Sequence, residues 1–130
     1  MISGNSHWPP LVGISDHARL SALMHRAPAD SKLRRRLAEK LRQSCLMLDD
    51  QLPPNAIRLG STVTFEAEGG PTRTITVVHP SEIDAEEARI SILAPVGLAL
   101  FGLRPRQRGE WIAQDGRKRH ATILGVEGRT

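Results

Sequence analysis

The hydrophobic period of the chain changes once, at Pro53-Pro54, and that change limits the folds open to it. Before the two prolines, Leu33, Leu37, Leu41, Cys45, Leu48 and Leu52 recur every three or four residues, the spacing of one apolar helix face. Arg34, Arg35, Lys40 and Arg42 fill the other faces. The pattern predicts a helix of about 20 residues, roughly 30 Å long, capped by Asp30 or Ser31. Ala18, Leu20, Leu23, Met24 and Ala27 predict an earlier helix of about three turns, starting at Ser15 as N-cap and ending at Pro28. The short Ala27-Pro28-Ala29 connection makes the pair an antiparallel hairpin.

After the prolines the period becomes two. Thr62 to Ala67 alternates, Gly69-Gly70-Pro71 is a turn, and Arg73 to Val78 is a second β-rich run. Arg89 to Leu93 predicts a third strand, and Pro95 to Phe101 a short helix with proline at its start and Gly102 just after its end. Asp115-Gly116 predicts the turn of a second hairpin between residues 110–113 and 118–126. The expected fold is α+β: a short N-terminal antiparallel helical hairpin, or coiled coil, followed by a mostly antiparallel sheet with one short helix. The expected boundaries are a loose tail over 1–14, the hairpin over 15–53 and the sheet domain over 54–130.

The uncharged run from Ile90 to Leu103 is too short and too broken by Pro95, Gly97 and Gly102 to span a membrane. No signal peptide precedes it, and Cys45, the only cysteine, excludes an internal disulfide framework, so a cytoplasmic protein is expected. Cys45 is expected as a small buried hydrophobe on the leucine stripe. The five histidines show no metal-ligand spacing and no metal is expected. Glu82, Asp84, Glu86 and Glu87 read as a solvated loop and not as a pair of catalytic carboxylates. Two Trp, two Phe and no Tyr leave little for stacking single-stranded nucleic acid, so nucleic-acid contact is expected to be weak or indirect at most.

Charge is uneven. Residues 15–52 carry a net +3, residues 53–103 a net −3 and residues 104–119 a net +4, within a total of +4. Lys32, Arg34, Arg35 and Arg36 crowd the start of the second helix, where positive charge opposes the macrodipole, beside Asp30 at the hairpin tip. Arg104, Arg106 and Arg108, with Arg117 to Arg119 on the next hairpin, make a second basic patch suited to steering toward an acidic assembly.

Leu59-Gly-Ser-Thr-Val-Thr-Phe65, Ile90-Ser-Ile-Leu-Ala-Pro-Val-Gly-Leu-Ala-Leu-Phe-Gly-Leu103, Gly109-Glu-Trp111 and Ala121-Thr-Ile-Leu124 resemble the FKBP-like C-terminal domain shared by the bacterial Gre transcript-cleavage factors and by Rnk, the regulator of nucleoside diphosphate kinase. Ala94-Pro-Val-Gly97 and the short hairpin resemble Rnk more than the cleavage factors. The resemblance implies a non-enzymatic regulator that docks on RNA polymerase near the secondary channel and competes with Gre-like factors. Pro95, Val96, Leu100, Phe101, Leu103, Arg104, Arg106 and Arg108 are the residues it places at the docking face. Gre cleavage factors hold a catalytic metal with an Asp-x-x-Glu pair at the tip; here Asp30 is followed by Leu33 among Lys32, Arg34, Arg35 and Arg36, so no cofactor and no stimulation of cleavage are expected. The alternative partner is nucleoside diphosphate kinase. An FKBP-like shape also suggests a prolyl isomerase, which the scarcity of aromatic residues disfavours.

Overall fold

The computed structural model describes residues 8–128. Strand β1 (Leu11–Gly13) leads directly into helix α1 (Ile14–Arg26), and helix α2 (Lys32–Gln43) is followed by strand β2 (Cys45–Met47). The remaining elements are β3 (Thr62–Ala67), β4 (Thr72–Val78), β5 (Arg89–Ser91), α3 (Pro95–Leu100), β6 (Arg108–Ile112) and β7 (Lys118–Glu127). Five of the strands form one sheet in the order β5-β4-β3-β7-β6, antiparallel except for the β4–β5 pair. Alternation explains the central strand: Val63 and Phe65 of β3 face the core, while Thr62 and Thr64 face their partners Thr76 and Thr74 across the sheet at 2.9 and 3.0 Å.

The leucine stripe misleads over its second half. Helix α2 stops at Gln43, and the expected continuation to Leu52 is instead a strand followed by a single 3-10 turn. Ser44 is extended, its hydroxyl donates to the Lys40 carbonyl at 2.6 Å, and its N–H bonds the Leu41 carbonyl, closing the helix. Cys45–Met47 then pair in parallel with Leu11–Gly13, and the Cys45 N–H reaches the Pro10 carbonyl at 2.7 Å. A contact far along the chain therefore overrides the local period. Cys45 and Leu48, expected in the core, are exposed as a result. Within the expected tail, Leu11–Gly13 are ordered as β1 and Val12 is fully buried; residues 1–7 lie outside the described part of the chain.

Pairing of β1 with β2 also resets the start of α1. Ser15 is inside the helix, and Gly13 occupies the N-cap without a side-chain bond. The capping role passes to Asp49, which accepts from the Ser15 N–H at 3.1 Å and from the Ser15 hydroxyl. These two Ser15 bonds hold the Asp49 carboxyl below its usual range.

A single apolar core joins hairpin and sheet. Val12, Leu20 and Leu37 belong to the same cluster as Ile57, Phe65, Ile75, Leu100, Phe101 and Ile123. Two polar links cross the same junction: Asp16, 4% exposed, accepts from the Leu59 N–H at 3.0 Å, and the Lys40 ammonium donates to the Ala99 carbonyl at 3.2 Å. Asp16→Ala strands the buried Leu59 donor and is expected to cost about 2 kcal/mol in a urea titration, with Asp16→Asn losing about half as much because an acceptor oxygen remains. Equal loss in both variants would show that the carboxylate charge, and not the bond, holds the junction.

Candidate functional site

Helix α3 is short because Ala94 is extended before Pro95 and Phe101 leaves the helical region at its end. Its glycine is set against strand β5: a Cβ at Gly97 would overlap the Ser91 carbonyl oxygen and lie 3.4 Å from the Ile92 Cα. This packing turns Leu98, Leu100 and Phe101 inward and leaves Pro95 and Val96 half-buried at the surface. Leu100 and Phe101, expected at the docking face, have no exposed surface and Leu103 is 7% exposed. Burial removes Leu100 and Phe101 from direct contact with a partner and places them in the core.

The basic loop after α3 is folded on itself. Gln107, 2% exposed, accepts from the Arg104 N–H at 2.8 Å through its side-chain oxygen, and the Arg106 N–H bonds the Ile123 carbonyl at 2.7 Å. Arg106 takes a positive φ of 77° and is exposed. Arg104 stacks over the Trp8 ring at 5.1 Å. Arg108 donates to His120 at 3.1 Å and lies 3.8 Å from Glu110, which also pairs with Lys118 at 3.4 Å. Asp115 accepts from Arg119 at 2.8 Å and from the Arg117 N–H at 2.9 Å; these bonds lower its carboxyl from the ordinary value, with the backbone bond from Arg117 the largest cause. Two carboxylates thus thread a patch that sequence alone presents as six cations, and exposed pairs of this kind leave most of the positive field in place.

At the hairpin tip Ser31 caps α2 by accepting from the Arg34 N–H at 3.1 Å. Arg34 and Arg35 turn back to the Ala27 and Asp30 carbonyls at 3.3 and 2.7 Å. The bonds to these carbonyls offset the unfavourable macrodipole by seating the cations on the loop. Asp30, Lys32, Arg35 and Arg36 are exposed, and Arg34 is half-buried. No cluster of potential metal ligands occurs among the described residues. The acidic residues of the 81–88 loop are exposed, and Asp84 spends one oxygen on the Glu86 N–H at 3.1 Å.

A cleft of about 960 Å³ separates α2 from α3 and β6. Lys32, Arg35 and Arg36 form one wall, Arg108 to Ile112 the other, and Lys40 the floor. Lys40 was expected on a solvent face of the helix; it is 9% exposed, and burial pushes its ammonium down to about 7. Its spacing of three residues after the buried Leu37 is the sequence signal that pointed inward.

Residues 52–128 match the family described as "Transcription elongation factor, GreA/GreB, C-term", and the chain belongs to that family. Among relatives, the "Regulator of nucleoside diphosphate kinase" of Escherichia coli is 30% identical over 79 residues, 60% of this chain and 58% of that protein. "Transcription elongation factor GreA" of Nitrobacter winogradskyi is 32% identical over 94 residues, 72% of this chain and 59% of the relative. The matched part thus spans a little over half the length of these relatives. The structure is similar to that of the "prokaryotic transcription elongation factor GreA/GreB from Nitrosomonas europaea", with a TM-score of 0.74 and 29% identity over 92% of this chain and 98% of that one. The expected likeness to Rnk and the Gre factors is therefore found in sequence, and the likeness to the Gre factors in fold as well. Among the described residues no helix is long and apolar enough to cross a membrane.

Proposed function

We propose that this protein is a transcription regulator that binds RNA polymerase near its secondary channel, competes there with Gre-like factors and does not stimulate transcript cleavage. The observation that carries this reading is the likeness to the Nitrosomonas GreA/GreB structure over 92% of the chain, helical hairpin included. Pro95, Val96, Arg106 and Arg108 are the exposed or half-exposed members of the docking face, and Arg104 braces it against Trp8. The hairpin tip offers Asp30 beside Lys32 and Arg34 to Arg36, a charge balance that repels a divalent cation.

Co-purification with core polymerase, followed by RNA release from a stalled elongation complex, tests both halves of the proposal. Failure to bind removes it, and robust cleavage overturns its non-catalytic part. Replacing Arg104, Arg106 and Arg108 together by alanine is expected to weaken binding about tenfold at low salt and to flatten its salt dependence. Unchanged affinity would place the docking face elsewhere. A second reading, contact with nucleoside diphosphate kinase, is favoured by the 30% identity to a protein named as its regulator. A direct pull-down against that kinase separates the two.

A further inference from the structure

The Lys40 ammonium is buried and has no counterion among the described residues. It can donate three hydrogen bonds, and its one bond among the described residues is to the Ala99 carbonyl at 3.2 Å. The two carboxylates that line the same cleft, Glu39 and Glu110, are engaged elsewhere. Glu39 is bound by Arg42 at 2.5 Å and by Gln43 at 2.7 Å along the helix, and Glu110 by Lys118 at 3.4 Å and Arg108 at 3.8 Å. Lys32, Arg35, Arg36 and Arg108 add positive charge at the rim. The remaining lining is mostly apolar, with Leu93, Leu98, Trp111 and Ile112 beside Gln43. A volume of about 960 Å³ falls in the range of small-molecule sites and is far larger than one inorganic anion needs.

From this arrangement we propose that the cleft between α2 and the α3–β6 edge binds a small organic anion carrying an aromatic ring, with Lys40 meeting the anionic group at the floor and Trp111 flanking the ring. An anionic group there supplies the counterion that Glu39 and Glu110 do not. The site does not depend on polymerase binding, and each reading can fail alone.

Binding must be coupled to the Lys40 proton. The charged and titratable groups that line the cleft with Lys40 are Lys32, Arg35, Arg36 and Glu39 from α2 and Arg108 and Glu110 from β6; α3 contributes no titratable side chain. None of the histidines at 17, 25, 79 and 120 lines the cleft. An anion favours the ammonium form, so affinity rises as pH falls through the Lys40 titration near 7.

The test uses the full chain and anilinonaphthalene sulfonate, an aromatic anion whose own charge is constant over the range studied, followed by its fluorescence. The expected result is saturable binding, about tenfold tighter at about pH 6 than at about pH 8.5. Lys40→Met is expected to weaken binding about tenfold at the lower pH and to abolish the pH dependence, while Arg36→Gln weakens it about threefold throughout. Equal affinity in wild type and Lys40→Met overturns the proposal. So does equally tight, equally pH-dependent binding of the uncharged phenylnaphthylamine, or binding of a polyglutamate peptide with none of the sulfonate.

Discussion

Gly102→Ala is expected to destabilise the fold by about 3 kcal/mol, against about 1 kcal/mol for Gly116→Ala. Both glycines have positive φ, 84° and 82°, so an alanine carries the same conformational penalty at each. They differ in what the new methyl group meets. At Gly116 nothing lies within 4 Å, whereas at Gly102 the Cβ would sit 2.7 Å from the Pro10 Cβ and 3.3 Å from the Leu11 N and O. Gly102 also accepts from the Leu11 N–H at 2.9 Å and donates to the Ile57 carbonyl at 2.8 Å, so the displaced strand takes bonds with it. Urea midpoints for the two variants isolate the steric part by subtraction. Equal losses would mean that β1 yields at no cost and does not anchor the hairpin.

The second large effect has the opposite sign. Lys40→Met is expected to stabilise the protein by about 2 to 3 kcal/mol at about pH 6, with the advantage shrinking toward alkaline pH. Lysine has an ordinary value of 10.5 and burial lowers it here to about 7, a gap worth about 5 kcal/mol before the lost Ala99 bond is set against it. Below the folded value both states are charged and the folded one bears the whole penalty. Between about 7 and 10.5 the unfolded chain keeps a proton that the folded chain has released, so the Lys40 contribution to stability rises with pH across that window. Denaturation at a series of pH values, read as the difference between wild type and variant, tests the slope. A constant difference would mean that Lys40 stays charged in the fold.

The sheet was legible from residues 62–127 because β3 alternates, β4 is a β-rich run and both hairpins have a turn glycine, so local pattern and tertiary structure agree. The third strand, Arg89–Ser91, is shorter than expected, although the Ile92 N–H still bonds the Val78 carbonyl at 2.8 Å. The end of α2 was not legible. Cys45, Leu48 and Leu52 continue the helical spacing of Leu33, Leu37 and Leu41, and nothing local shows that Leu11–Gly13 will pair with Cys45–Met47. The burial of Leu100 and Phe101 was not legible: apolar residues signal core and surface equally well in a one-dimensional pattern, and the close seat of Gly97 on Ser91 is a tertiary contact that the pattern does not show. Lys40 was missed for the converse reason, since a charged residue in a basic helix suggests solvent. Trp8 fell in the expected tail, so its stacking on Arg104 had no sequence signal beyond the aromatic itself.

The parallel β1–β2 pair fastens both feet of the helical hairpin to the body of the protein, while the opposite end is a loop of residues 27–31 held by Ser31 and two arginines. Length and anchorage are therefore separate variables. Whole turns inserted at that loop would lengthen the arm by about 5.4 Å each without disturbing the socket in which it stands. A scaffold of this kind works as an adjustable arm, whose length can change while its base stays the same.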